Sequence, residues 1–489
     1  MESLSNRVFK LILIVCIGCS GLVIGLHWGR LPWASTSWIQ VFANQPGLWF
    51  GAFLLAIVIA ELAWRIVLVV QYRPIPDCEP SLLPQCTVIV PAFNEGVQVY
   101  KTLKSLAASD YPKKKLQIIA VDDGSQDDTW AWIQKARQEL GKGLKIIRLP
   151  RNQGKRHALH AGFLKSTGGV LITVDSDSMV EPLTLKHMVA PFVHDSRVGA
   201  VAGNVRVLNR DRGVIPRMLD VAFVYSFDFM RASQSMVNTV MCTPGALSAY
   251  RRSVVMEVLS EWLHQKYCGR PANIGEDRAM TNLILRQGKH VLFQQNAMVY
   301  TEIPVTYTKL CKMYLRWGRS NVRETIAMSR FAFKRFRNSS MIGARINLLS
   351  GWLSLIKSPL FLVTLVMIVP RGGITFGTSI VAGILVFQSL SAGIYAWKYN
   401  RYSALWAYMY GIYGFLGLFW IKPYALVTSH RSGWLTRGNP APKQVHGKPL
   451  QAKQASLMPD TTCTQPIRLS LSDLSHHTAY SPGVNNYTF

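Results

Sequence analysis

The chain has 489 residues, too many for one small domain, and 49% of them are hydrophobic against 16% charged, a balance unusual for a soluble protein. It carries 54 Lys+Arg against 26 Asp+Glu, a formal net charge of +28, yet no nucleic-acid motif accompanies the excess. The charge therefore reads as attraction to anionic membrane lipid and as positive-inside bias, not as a nucleic-acid footprint.

In chain order, residues 9–28 and 47–70 are apolar runs long enough to cross a bilayer as helices. A signal peptide is the competing reading of the first, but it has no small-x-small cleavage site and a second long run follows. Cys16 and Cys19 form a CxxC inside that first run without a second pair, so a metal or redox centre is not indicated. Within the second run, Glu61 and Arg65 stand four residues apart. Ionisable groups at such depth face a partner or an aqueous path, so the pair either lines or braces a conduit or satisfies itself.

From about 72 to 305, short β-branched runs alternate with helical patterns. "CTVIVPAFNE" (86–95), "LQIIAVDDGS" (116–125), "LKIIRLPRN" (144–152) and "GVLITVDSDS" (169–178) each end in polar residues, with helical stretches such as "TWAWIQKARQEL" (129–140) between them. That alternation predicts an α/β fold with a mostly parallel sheet, whose ligands bind beyond the carboxyl ends of the strands. Asn94, Asp123 and Asp175 are thus expected to converge on one crevice. Residues 306–345 form a basic amphipathic region expected at the cytosolic membrane surface. Three more apolar runs follow, at 346–370, 374–397 and 403–421, the last rich in Trp and Tyr. Lys357-Ser358-Pro359 marks the first of them as a candidate hairpin, re-entrant or interfacial segment. The tail, 438–489, is rich in Pro, Ser, Thr, Gln and Asn without apolar periodicity, the composition of a disordered segment.

The chemistry concentrates at the strand ends. Asp175 and Asp177, spaced D-x-D, can hold a divalent cation, Mg²⁺ or Mn²⁺, through hard oxygen ligands, and such a cation bridges to phosphates and stabilises a departing diphosphate. Alone, the pair reads equally as a solvated turn. "VDDGSQDDT" (121–129) supplies a second acidic loop, and "RNQGKRHAL" (151–159) supplies Lys155 and Arg156, suited to diphosphate oxygens. "NIGEDRAMT" (273–281) offers Glu276 and Asp277; a carboxylate there can act as general base toward a sugar hydroxyl, or cap the helix that follows. There is no GxGxxG, no P-loop and no G-x-S-x-G elbow.

The order PAFNEG, DDGS, NxGK, DSD, GED and RW resembles the processive family 2 glycosyltransferases, membrane synthases of cellulose, chitin and hyaluronan. "RASQS" (231–235), "CTPGALSAYRRS" (242–253) and "RWGRSNVRET" (316–325) are most similar to hyaluronan synthases and nodulation-type chitin-oligosaccharide synthases. The resemblance implies a GT-A-like nucleotide-sugar domain at 72–305 between two leading transmembrane helices in 1–71 and the transmembrane helices of 346–437. It implies a multi-pass protein of the inner membrane with a cytosolic catalytic domain, taking a UDP-sugar donor and a growing polysaccharide acceptor. By position, Asp123 would contact the uracil with Asp122 supporting its loop. Asn94, Glu95, Lys155 and Asp175 would complete the nucleotide-sugar site, and Asp175 with Asp177 would bind metal. Asp277 would be the base with Glu276 beside it, while Arg316 would face the diphosphate and Trp317 stack on the acceptor. Trp434 and Arg437 would form a gating element. Two positions depart from the family pattern: Met313 stands for the glutamine of QxxRW, and Leu435 for the glycine of WGTR.

Overall fold

The computed structural model describes residues 4–27, 46–399 and 402–431. The expected gating residues Trp434 and Arg437 and the tail lie outside the described residues. Two apolar helices, α1 (Leu4–His27) and α2 (Pro46–Gln71), precede the sheet.

The sheet is built from β1 (Cys86–Ala92), β2 (Leu116–Asp122), β3 (Leu144–Arg148), β4 (Val170–Val174), β5 (Ser178–Val180), β6 (Val198–Val207), β7 (Leu247–Arg251) and β10 (His290–Thr301), in the order β3-β2-β1-β4-β7-β6-β10-β5. Neighbours run parallel except at β7, which opposes both β4 and β6, and at the short β5, which opposes β10. The α/β expectation with a mostly parallel sheet therefore holds. A small ribbon, β8 (Lys266–Tyr267) and β9 (Arg270–Pro271), stands apart.

Strands β1 and β4 are buried along their whole length, which is why they read as apolar runs: helices cover both faces. Alternate side chains then sort to two cores. Ile89, Ile119, Val121 and Leu171 join Leu159 and Phe163 of α5 (Lys155–Leu164), and also Val8 and Val69 of the leading helices. Val88, Val90, Ile118 and Ile172 join Val99 and Leu103 of α3 (Val97–Ala107) and Ile133 of α4 (Thr129–Leu140). Because β1, β2 and β4 run parallel, the acids that follow them lie at one rim.

Beyond α6 (Thr184–His194) and β6, α7 (Val214–Phe223) runs through a π-helical segment, Val224–Phe229, into α8 (Met230–Met236). After β7 come α9 (Arg252–Leu263), α10 (Glu276–Arg286) and, beyond β10, α11 (Tyr307–Ala332). α11, expected at the cytosolic membrane surface, is packed between α10 and the last helix, and its Arg319 and Arg323 are buried. The runs at 346–370 and 374–397, read as separate spans, fall in one helical element, α12 (Ile342–Tyr399). Pro359 removes one backbone hydrogen bond, which does not end a helix whose flanks are apolar on both sides. Conversely, the run at 403–421 is not one helix: α13 (Trp406–Tyr413) passes into a π-helical stretch, Gly414–Leu418, and then α14 (Ile421–Val427). Among the described residues, Gly377–Tyr399 is long and apolar enough to cross a membrane (mean hydropathy 1.6). The segments 402–418 and 421–427 meet the same measure as a pair bent by 47°.

Candidate active site

Lys155 opens α5 directly after Gly154, whose φ of 94° suits a residue without Cβ. Its ammonium lies 2.5 Å from Asp175 Oδ1, just past the end of β4, and 3.1 Å from Glu276 Oε1. Burial works against the charge on Lys155, but the two carboxylates outweigh it and raise the pKa. Gly245, before β7, lets this contact form: a Cβ there would stand 2.5 Å from the ammonium and 3.4 Å from Asp175.

The acids at 276 and 277 begin α10 because Gly275 turns the chain with φ 76°, and a side chain on it would collide with Ser320 of α11. Asp277 Oδ1 accepts from the Arg278 amide (2.7 Å) and Oδ2 from the Gly245 amide (3.2 Å), with the Cys242 thiol 3.7 Å away. Burial, then the charge of Glu276, raise the Asp277 pKa against the pull of Lys155. Glu276 moves the other way. Burial would raise it, but Lys155, its own backbone amide and the nearby Arg316 guanidinium hold it low. Two adjacent carboxyls are thus driven apart, one held ionised and one made a better proton acceptor, a separation typical of acid–base sites.

A second cluster sits at the ends of β1 and β2. Asp123 is buried, and its two oxygens accept from the amides of Gln153 (2.9 Å) and Gly154 (2.8 Å). Burial raises its pKa and those amides pull it back. Asp122 accepts from Ser125 N (3.1 Å) and pairs with Arg148 (3.3 Å). Asn94, in the left-handed region at φ 52°, accepts from Gln126 N at 2.9 Å, while the amide of Glu95 donates to Thr129 Oγ1 at 2.8 Å. Asp123 and Lys155 are therefore joined through one loop, 151–154. Arg156 departs from expectation. It is buried, turned from the crevice, and bonds to the Trp262 carbonyl and Gln265.

Asp177 Oδ1 accepts from the hydroxyls of Ser178 (3.2 Å) and Thr301 (3.3 Å). Among the described residues no three His, Cys, Asp or Glu gather as a complete metal shell. What the rim does offer is Asp175 beside the opening kept by Gly245, with Asp177 two residues on, carboxylates of the kind that Mg²⁺ uses when phosphates and water supply the rest.

On α11, Trp317 is boxed by the rings of Tyr314 (5.7 Å between centroids), Phe223 (6.2 Å) and Phe227 (6.2 Å). Met313 is buried in the core against the sheet, which explains why this position carries a hydrophobe. Sequence reasoning missed Phe223, Phe227 and Gly245 as parts of the site. The first two sit at and within a π-helical turn that no local pattern announces, whereas the Pro244-Gly245 step before a strand was a usable signal. Of the Glu61–Arg65 pair, Arg65 bonds Glu61 (2.9 Å) and reaches Ser233 of α8 (3.1 Å), so it braces α2 against the catalytic domain.

Residues 87–259 match the profile of Glycosyl transferase family 2. An N-acetylglucosaminyltransferase of Rhizobium leguminosarum bv. viciae is 31% identical over 376 residues, 76% of this chain and 86% of the relative. The chain belongs to glycosyl transferase family 2. It is a hexosyltransferase. An N-acetylglucosaminyltransferase of Rhizobium meliloti is similar to this family 2 enzyme at 30% identity, over 82% of this chain and 95% of that one. The hyaluronan synthase of Streptococcus pyogenes is similar at 28%, over 71% and 82%.

Proposed function

We propose that this glycosyltransferase is a membrane-embedded processive synthase that polymerises a UDP-sugar into a β-linked polysaccharide and passes the chain through its own apolar helices. The observation that carries the reading is the junction at Lys155: nucleotide-side Asp175 and acceptor-side Glu276 share one ammonium, with Asp277 beside them. The donor is UDP-N-acetylglucosamine, in keeping with relatives named N-acetylglucosaminyltransferases; alternation with UDP-glucuronate is the second reading, favoured by the relative named hyaluronan synthase.

The parts divide the work. Asp123 and the loop it clasps receive the uracil, with Asp122, Asn94 and Glu95 bracing that loop. Lys155 and Arg316 face the diphosphate with positive charge, and Trp317 offers its ring to the acceptor sugar. Asp277 takes the proton from the acceptor hydroxyl as it attacks the anomeric carbon, and its raised pKa suits that step. A single displacement on an α-linked donor yields the β-linked product. Asp175 and Asp177 would hold Mg²⁺ or Mn²⁺, which when bound neutralises charge on the leaving UDP. The box of rings around Trp317 is a wall for a polymer, and a transferase adding one sugar to a lipid phosphate has no use for it.

The test is incubation of purified protein with UDP-N-acetylglucosamine alone, with UDP-glucuronate alone and with both, in Mg²⁺ or Mn²⁺, followed by sizing and digestion with linkage-specific hydrolases. A β-linked polymer is expected. Transfer of one sugar only would overturn processivity, and a polymer that forms only from two donors would select the second reading.

A further inference from the structure

A groove of about 820 Å³ lies outside the catalytic crevice, between α10 and α11. One wall is the stripe Ala279, Asn282, Leu283 and Arg286, and the other is Arg323, Ile326, Ala327 and Arg330, each spaced as one helix face. Its size is that of a small-ligand site, and its charge is one-sided.

The two acids in the groove are already spent. Glu261 pairs with Arg286, and Glu324 accepts from Gln265 (3.0 Å) and Asn282 (2.9 Å). Lys266, Arg330, Lys334 and Arg335 remain. All four are exposed along the groove, and among the described residues none pairs with an acid. At the floor Arg323 is 3% exposed, and its Nε has no hydrogen-bond partner. Tyr267, Phe331 and Phe336 also line the groove, but none is exposed as a platform for a sugar chain, whereas arginine-rich concavities suit phosphate oxygens.

We propose that this groove binds a phosphate-bearing anion, separately from the sugar donor, and that its occupancy tunes transfer. The route to the crevice is short: Gln265, bonded to Glu324, also accepts from both terminal nitrogens of Arg156 (3.1 and 3.2 Å), and Arg156 follows Lys155. The groove walls are also the two helices that carry Asp277 and Trp317.

The full chain in nanodiscs distinguishes the sources of phosphate. In one arm, inorganic phosphate replaces chloride at constant ionic strength in zwitterionic lipid. In the other, phosphatidylglycerol replaces part of the zwitterionic lipid without added phosphate. One arm raises Tm and changes the rate of sugar transfer, and that arm identifies the source. The variant K266Q/R330Q/K334Q/R335Q requires roughly tenfold more of the same anion, the loss expected from removing several exposed charge-assisted contacts. If that variant does not fold, K334Q/R335Q, in the exposed link after α11, gives a smaller loss of the same sign. No Tm response in either arm, or an equal response in the variants, overturns the proposal. Because Tm reports binding without turnover, failure to polymerise sugar would sink the proposed function and leave this test intact.

Discussion

At the residue scale, the informative contrast is between neighbours in sequence. Glu276 and Asp277 lie side by side and differ in the charge that prevails on each: Lys155 and Arg316 for Glu276, and Glu276, against the pull of Lys155, for Asp277. A carboxyl whose pKa is raised by folding binds its proton more tightly in the native state. Ionising it therefore costs stability at pH values above the raised pKa, and that cost vanishes below the unfolded value. Asp277→Asn should accordingly lower sugar transfer by about 10²–10⁴-fold, the usual contribution of a general base, without lowering Tm at neutral pH. Wild-type transfer should fall as pH drops through the raised Asp277 pKa. Rate–pH profiles and thermal melts of both proteins check the pair of outcomes, and a variant that melts well below wild type would point to a structural role.

At the element scale, the start of α10 decides where those carboxyls point. Gly275 takes a left-handed φ of 76° and leaves no room for a Cβ against Ser320 of α11. Gly275→Ala should cost about 1–3 kcal/mol from backbone strain and crowding, and should lower kcat more than the loss of folded protein explains. Gly275→Ala with Ser320→Ala should recover the part of the crowding due to the Ser320 hydroxyl, and neither the remaining Cβ contact at 2.6 Å nor the strain. Denaturant unfolding alongside steady-state kinetics separates the two. The same scale shows what was legible in the chain. The strands and the D-x-D, DDGS and GED loops could be read, because β-branched runs ending in acids carry both a fold signal and a chemical one. The orientation of Arg156 could not, because nothing in "GKRHA" distinguishes a side chain aimed at a crevice from one buried against Trp262. Nor could the π-helical turn that brings Phe227 to Trp317, since its ring lies 90 residues away in sequence. The single α12 and the broken α13–α14 pair escaped for a related reason: apolar runs set the presence of helix, while packing sets where it bends.

At the scale of the whole molecule, the apolar helices and the catalytic sheet meet through buried polar joints. Arg65 of α2 reaches Ser233; Tyr395 of α12 donates to Asp220 (2.7 Å), which also pairs with Arg206 (3.0 Å); and Lys398 of α12 pairs with Asp228 (2.5 Å), which accepts from Gln295 (2.7 Å). Asp220 and Asp228 lie on the α7–π–α8 run that also carries Phe223, Phe227 and Arg231. The joints thus fix the ring box around Trp317 relative to the helices through which the polymer is proposed to pass. Removing one partner of a buried pair strands the other charge and costs about 3–5 kcal/mol, whereas replacing both can be nearly neutral. Lys398→Met should therefore lower Tm in detergent and shorten the product, because Asp228 is left with Gln295 alone. Lys398→Met with Asp228→Asn should recover most of the stability. If product length also recovers in the double variant, the joint acts by holding the helices in place. If length stays short at restored Tm, the charge pair itself is needed while the polymer advances.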